Sequence, residues 1–237
     1  MEILARSSGE LGIHLSSHQL DQFETYYREL ADWNLRVNLT SVVDYGEVQV
    51  KHFLDSFTVC LAVPEGLASL ASVVDVGAGA GLPGLPMKLA FPHIHLALVE
   101  SVGKKAQFLR HVVETLGLSC VEVHTGRAEQ LAHRPELRES FDLAVTRGLA
   151  RLSTLAEYSL PFCRLGGRMV ALKHGNIDEE LAEASNALEV LGGRADKVHP
   201  VGVSGLTDDR ILVVAEKVKP TPDRYPRRPG MPAKRPL

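Results

Sequence analysis

Val73-Val74-Asp75-Val76-Gly77-Ala78-Gly79-Ala80-Gly81-Leu82-Pro83-Gly84 decides the fold. Three valines and an acid read as a short buried strand, and four glycines then fall within eight positions. Glycine allows positive φ and leaves no side chain between the backbone and a ligand. Pro83 stands where a helix can begin. A strand that runs through a glycine-rich turn into a helix aims backbone amides at a bound polar group, the arrangement of nucleotide-cofactor loops.

Downstream the pattern alternates. Strands are predicted at Val73–Val76, His95–Glu100, Cys120–His124, Phe141–Thr146, Gly167–Lys173, Ala195–Val201 and Ile211–Val218. Helices fit between them at Pro83–Ala90, Gly103–Leu116, Ser153–Cys163 and Asp178–Leu191. Apolar strands alternating with helices imply a parallel sheet covered on both faces. Only a short Gly-Leu-Thr-Asp-Asp stretch separates the last two strands, too little for a helical crossover, so they should pair antiparallel. A seven-stranded, mostly parallel α/β sheet with a terminal antiparallel hairpin resembles the class I S-adenosylmethionine (SAM) methyltransferase fold.

Upstream, Ser16-Ser17-His18-Gln19 has the form of a capping box. It opens an amphipathic helix through Leu20, Phe23, Tyr26, Tyr27, Leu30, Trp33 and Val37, closed by Asn34 and Asn38. Asp44-Tyr45-Gly46-Glu47 reads as a second capping box, before a helix that Pro64 and Gly66 end. The expected organisation is an N-terminal helical cap (1–66), a cofactor-binding core (67–218) and a C-terminal arm (219–237).

That arm differs in composition. It holds six prolines and six cations against the single acid Asp223, a balance of +5, which leaves −8 for the rest of a chain of net charge −3. Proline at this density forbids helix and central strand, so an extended, solvated arm is expected. A basic arm on an acidic body suggests a polyanionic partner. Arg227, Arg228, Lys234 and Arg235 are its expected phosphate contacts.

Composition excludes several classes. At 45% hydrophobic and 5% aromatic the 237 residues can pack an aliphatic core, yet no apolar run approaches the ~20 residues that span a bilayer. The N-terminus carries no signal-peptide pattern. Cys60, Cys120 and Cys163 are scattered, and neither His14 with His18 nor His93 with His95 has a further ligand nearby, so no metal centre or disulfide framework is expected. A reducing, cytoplasmic setting follows.

Chemistry is sought at the strand ends, which line the crevice of such sheets. Glu100 ends the second strand, twenty-three residues beyond Gly77, where an acid bonds ribose hydroxyls. Gly126-Arg127-Ala128-Glu129 follows the third strand, where an amide and an acid suit an adenine edge. Arg147 leaves the fourth strand and Lys173 ends the fifth. Candidate partners of Arg147 are the cofactor's carboxylate, a guanine edge or a structural carboxylate; Lys173 is an expected substrate or phosphate contact. His52 and Asp55 lie on adjacent turns and could pair.

Six segments carry a family resemblance: W-N-L-R-V-N-L-T (33–40), K-H-F-L-D-S-F (51–57), D-V-G-A-G-A-G-L-P-G-L-P (75–86), V-E-S-V-G-K-K-A-Q-F-L (99–109), R-A-E (127–129) and R-Y-P-R-R-P-G-M-P-A-K-R-P-L (224–237). The chain resembles the bacterial small-subunit ribosomal RNA guanine-N7 methyltransferases, the RsmG or GidB family. The resemblance implies SAM as donor, a guanine of 16S ribosomal RNA or the small ribosomal subunit as acceptor, and a monomer. It also implies cofactor contacts at Gly77, Leu82, Ala128, Glu129 and Arg147; Gly79 and Glu100 join them from the loop and strand reading. Ala78, Gly148-Leu149 and His174 depart from the family's pattern. Guanine N7 carries no proton, so no catalytic acid or base is named and catalysis is expected to be positional. The alternatives are a small-molecule SAM methyltransferase, which gives the basic arm no task, and a non-catalytic RNA-binding module. A third is a nicotinamide-dependent oxidoreductase, whose fingerprint G-x-G-x-x-G is to be set against glycines at 77, 79, 81 and 84.

Overall fold

The computed structural model describes residues 1–63, 65–148 and 150–237. Pro64, the expected helix stop, and Leu149 lie outside them. Seven strands form one sheet: β1 (Ser72–Val76), β2 (His95–Glu100), β3 (Val121–Thr125), β4 (Phe141–Arg147), β5 (Cys163–His174), β6 (Gly193–Pro200) and β7 (Arg210–Lys217). Their order is β3-β2-β1-β4-β5-β7-β6. β1 to β5 pair parallel, and β7 inserts antiparallel between β5 and β6. The chain steps outward from β1 to β3 and returns to β4 on the other side of β1. The crevice of the sheet opens at that reversal.

Alternation fixes both faces. Val73, Leu96, Leu98, Leu143, Val170 and Val214 pack on one side. Val74, Val76, Ala97, Val99, Met169 and Val213 pack on the other.

The first face is covered by the N-terminal helices. Helix Ser17–Val37 starts at the expected capping box, with Ser16 Oγ accepting from Gln19 N–H (3.3 Å) and Gln19 Oε1 accepting from Ser16 N–H (2.9 Å). Gln19 also donates to the Leu89 and Ala90 carbonyls, tying this helix to the end of helix Gly84–Ala90. Asn38 closes the helix at φ +52°, and Asn34 Oδ1 accepts from the Leu39 and Thr40 amides. Phe23, Tyr26 and Leu30 are buried against Phe53 and Phe57. Residues 45–62 form a continuous helical segment with a π-helical stretch at Gln49–Leu54. Only half of the second capping box forms: Asp44 accepts from Glu47 N–H, but the Glu47 carboxylate reaches forward to Lys51. A further helix, Glu2–Ser8, was not anticipated.

Helices Leu152–Ser159 and Asp178–Val190 cover the second face. The first of these stops earlier than expected. Leu160–Phe162 is a 3-10 turn containing Pro161, and β5 begins already at Cys163, paired with Phe141 across an irregularity in the ladder.

The C-terminal residues correct the expectation of a solvated arm. Thr221, Tyr225, Pro226 and Pro232 are buried, and Met231–Lys234 forms a one-turn helix with proline in its first turn. Arg138 donates to the Thr221, Pro222 and Tyr225 carbonyls, and Lys217, fully buried, bonds Thr221 and Glu139. Proline excludes regular secondary structure but not packing, and the partners that hold this segment come from distant parts of the chain. Arg227 is among the held residues: its backbone and guanidinium bond Glu157, which is 0% exposed.

Candidate functional site

The site begins with the glycine loop. The Gly77 and Ala78 amides both donate to the Val99 carbonyl (2.9 and 3.0 Å), which anchors the loop to β2. Gly77 turns at φ +79°, and a Cβ there would meet nothing within 4 Å, so its backbone faces open space. Gly84 serves a different purpose. A Cβ there would lie 2.8 Å from Asp75 Oδ2, the oxygen that accepts the Gly84 amide. Asp75 is wholly buried and its Oδ1 has no partner among the described residues; burial pushes its carboxyl up to about 7. Tyr26 bonds the Ala80 carbonyl from beneath, its phenol held far above the usual range by burial.

A cleft of about 220 Å³ opens above Gly77 at the carboxyl ends of β1 to β4. Val76, Val99, Ala128 and Leu155 give it apolar walls, and Glu129, Arg147 and Tyr158 its polar features. Glu129 is 4% exposed; one carboxylate oxygen accepts the Gly230 amide at 2.8 Å, and no other bond to it forms among the described residues. Four of the seven expected cofactor residues, Gly77, Ala128, Glu129 and Arg147, line this cleft. The other three stand behind it. Glu100 accepts from the Gly79 and Val102 amides (2.9 and 2.6 Å), and Leu82 is buried in the core. Tyr158, Leu155 and Ser101 also line the cleft, unanticipated; nothing in their spacing marks them.

A second cleft adjoins the first across Arg147 and Gly148, lined also by Lys51, His52, Asp55, Leu172, His174, Asp208 and Arg210. Asp55 is its hub. The carboxylate binds Arg147 on β4 (3.1 Å) and Arg210 on β7, and Arg210 binds Asp208 (2.7 Å). Asp55 and His52 therefore do not pair with each other. His52 meets the Thr40 hydroxyl at Nε2 (2.8 Å) and the Lys51 carbonyl at Nδ1 (3.0 Å). Two groups face Nδ1: the Lys51 carbonyl, which can only accept, and at 3.5 Å Arg147 Nη2, which can only donate; the shorter contact favours the proton on Nδ1, with Nε2 accepting. Burial, and then the Arg147 charge, lowers His52 to about 4, so the ring is neutral at pH 7. Arg147 also donates to the Lys51 carbonyl (3.3 Å), within the π-helical stretch. Of its candidate partners, Asp55 is the one in contact, yet the side chain remains 21% exposed, at the boundary of both clefts.

Lys173 stands apart. Its ammonium bonds the Ala150 carbonyl (3.0 Å) and Glu180 (2.8 Å), bracing the loop after β4 from below. Neither cleft includes it. Arg227 is committed to Glu157, whereas Arg228, Lys234 and Arg235 are exposed and form no ion pair among the described residues. No group of three His, Cys, Asp or Glu side chains is arranged to hold a metal ion, and no helix is long and apolar enough to cross a membrane, among the described residues.

The first cleft suits SAM. Gly77 presents bare backbone, the aliphatic walls suit a flat ring, Glu129 offers an unused carboxylate oxygen for an amine, and Arg147 a cation for a carboxylate.

Comparison with known proteins agrees. The family model GidB, rRNA small subunit methyltransferase G, matches residues 19–207. A protein of Dehalococcoides mccartyi named ribosomal RNA small subunit methyltransferase G is 49% identical over 237 residues, covering both chains completely. Its namesake in Roseiflexus castenholzii is 47% identical, again over all of both chains. Among solved structures, the mitomycin 7-O-methyltransferase MmcR matches with a TM-score of 0.57 at 14% identity, over 81% of this chain and 60% of that one. A putative O-methyltransferase from Klebsiella pneumoniae matches with 0.54 at 16%, over 82% and 90%. These two share the class I methyltransferase fold with this chain.

Proposed function

This chain belongs to the rRNA small subunit methyltransferase G family, and from that premise we propose that it methylates N7 of one guanine in 16S ribosomal RNA, with SAM as donor. The observation that carries the reading is the meeting of two clefts at Arg147 and Gly148, which gives cofactor and acceptor base a common boundary. When bound, SAM supplies a methyl carbon activated by its sulfonium.

The chain's own residues hold and orient. Gly77, Ala128, Glu129 and Arg147 form the cofactor surface; Gly79, Leu82 and Glu100 fix the loop behind it. Guanine N7 has an in-plane lone pair and no proton, so no side chain has to remove one. Neutral His52, with both ring nitrogens engaged, is a positioning group and not a base. Alignment then supplies the rate enhancement. Arg147 and Arg210 are neutralised by Asp55 and Asp208, so a base acquiring positive charge meets no net cationic wall. Exposed Arg228, Lys234 and Arg235 contact phosphates, on the same segment whose Gly230 amide reaches Glu129. The acceptor sets the place of action as the cytoplasm, and the chain acts as a monomer.

Methyl-labelled SAM, incubated with small-subunit RNA lacking this modification and with intact subunits lacking it, tests donor and acceptor together. Label in 16S RNA from at least one substrate is expected. Label in neither, with SAM bound, would refute the acceptor.

A further inference from the structure

Glu129 sits on a single helical turn, Ala128–Leu131, and a glutamate there has three rotatable bonds to fix. Among the described residues only one group holds its carboxylate: the Gly230 amide, 101 positions away in the chain. Gly230 is itself held. Three residues earlier, Arg227 places its backbone amide (2.8 Å) and two guanidinium nitrogens (2.9 and 2.6 Å) on the buried Glu157 carboxylate. Two residues later, the Pro232 carbonyl accepts from Thr154 Oγ1 at 3.1 Å. Glu157 and Thr154 belong to helix Leu152–Ser159, whose Leu155 and Tyr158 line the first cleft. One helix therefore carries both a wall of the cleft and the dock for the C-terminal segment.

We propose that Arg227 and Gly230 are positioning residues for the cofactor: the Arg227–Glu157 pair docks the C-terminal segment so that the Gly230 amide aims the Glu129 carboxylate into the cleft. The proposal rests on the reading of Glu129 as a cofactor contact. It assigns the segment two surfaces, one inward to the cofactor side and one outward, bearing Arg228, Lys234 and Arg235.

The test is SAM affinity measured by calorimetry without RNA, so that lost cations do not enter. A chain ending at Arg228 keeps the Arg227–Glu157 pair and the buried Tyr225 but lacks the Gly230 amide. It should retain its thermal midpoint within a few degrees and bind SAM about tenfold more weakly, the loss of one hydrogen bond to a charged acceptor. Glu129→Ala should weaken SAM comparably, and the same truncation in that background should have no further effect, since both act through one carboxylate. If Glu129→Ala weakens SAM and truncation does not, or truncation weakens it equally in both backgrounds, the positioning role is wrong. If Glu129→Ala binds SAM like the parent, the reading of Glu129 fails and the proposal with it.

Discussion

A buried carboxylate held by arginine lies on each face of the sheet, and the two differ in what surrounds them. Glu157, on the face covered by helix Leu152–Ser159, is 0% exposed and, among the described residues, receives its side-chain bonds from Arg227 alone. Asp55, on the face covered by the N-terminal helices, is shared between Arg147 and Arg210, and both line an open cleft. The first pair joins one arginine to one enclosed carboxylate and lines neither cleft, and so acts as a latch. The second can exchange a protein partner for a ligand at little cost, because Arg147 lines both clefts. An ion pair that lines a cleft is part of a site; one set away from it on a buried carboxylate is part of the frame.

The largest expected effect breaks the latch. Arg227→Ala strands the Glu157 charge in the core and should destabilise the fold by about 3–5 kcal/mol in denaturant unfolding. A loss below ~1 kcal/mol would mean that water reaches Glu157 and that the contrast between the faces is false. Next comes acid. His52 titrates near 4 in the fold and 6.5 in the unfolded chain, so the native state binds fewer protons between these values. Its contribution is present above pH 6.5 and is lost as pH falls to 4, up to about 3 kcal/mol. Asp75, raised from 3.8 to about 7, works in the opposite direction, losing stability as pH rises through that window. His52→Gln, compared with the parent at pH 7 and pH 4, isolates the histidine: the parent should lose more stability than the variant.

Asp55→Asn is a milder break. It leaves Arg147 without a charged partner, while Arg210 keeps Asp208, and it does so in an open cleft, so a stability loss of about 2 kcal/mol is expected. Methyl transfer to RNA should fall more than SAM affinity does. Equal losses in both would place Asp55 in the frame, like Glu157. The smallest effect concerns the outward surface: Lys234→Ala should reduce the salt dependence of RNA binding by about one phosphate contact. An unchanged slope would remove Lys234 from the RNA surface.

Where local pattern carried the information, the fold was legible. Val73 to Gly84 announced strand, loop and helix, and all seven strands fell where alternation and turn residues put them. Glycine spacing did not separate SAM from a nicotinamide cofactor, because Gly79, Gly81 and Gly84 themselves spell G-x-G-x-x-G. The antiparallel β7 separates the folds. Of the residues that line the first cleft, Gly77, Ala128, Glu129 and Arg147 were recoverable because they lie at or just beyond strand ends. Asp55 was noticed for the wrong partner, since its arginines come from β4 and β7, 92 residues or more away. Arg227 was misread for the same reason. A basic, proline-rich stretch looks solvated until the burial of Glu157 is known, and burial of that kind is a tertiary property.

The most direct test of the account is to locate the transferred methyl group in 16S RNA by cleavage chemistry specific for N7-methylguanine. A single cleaved position that requires both the enzyme and SAM is the predicted result. Label that resists this cleavage would place the methyl on another atom and would contradict guanine N7 as the acceptor, on which catalysis by alignment alone was argued.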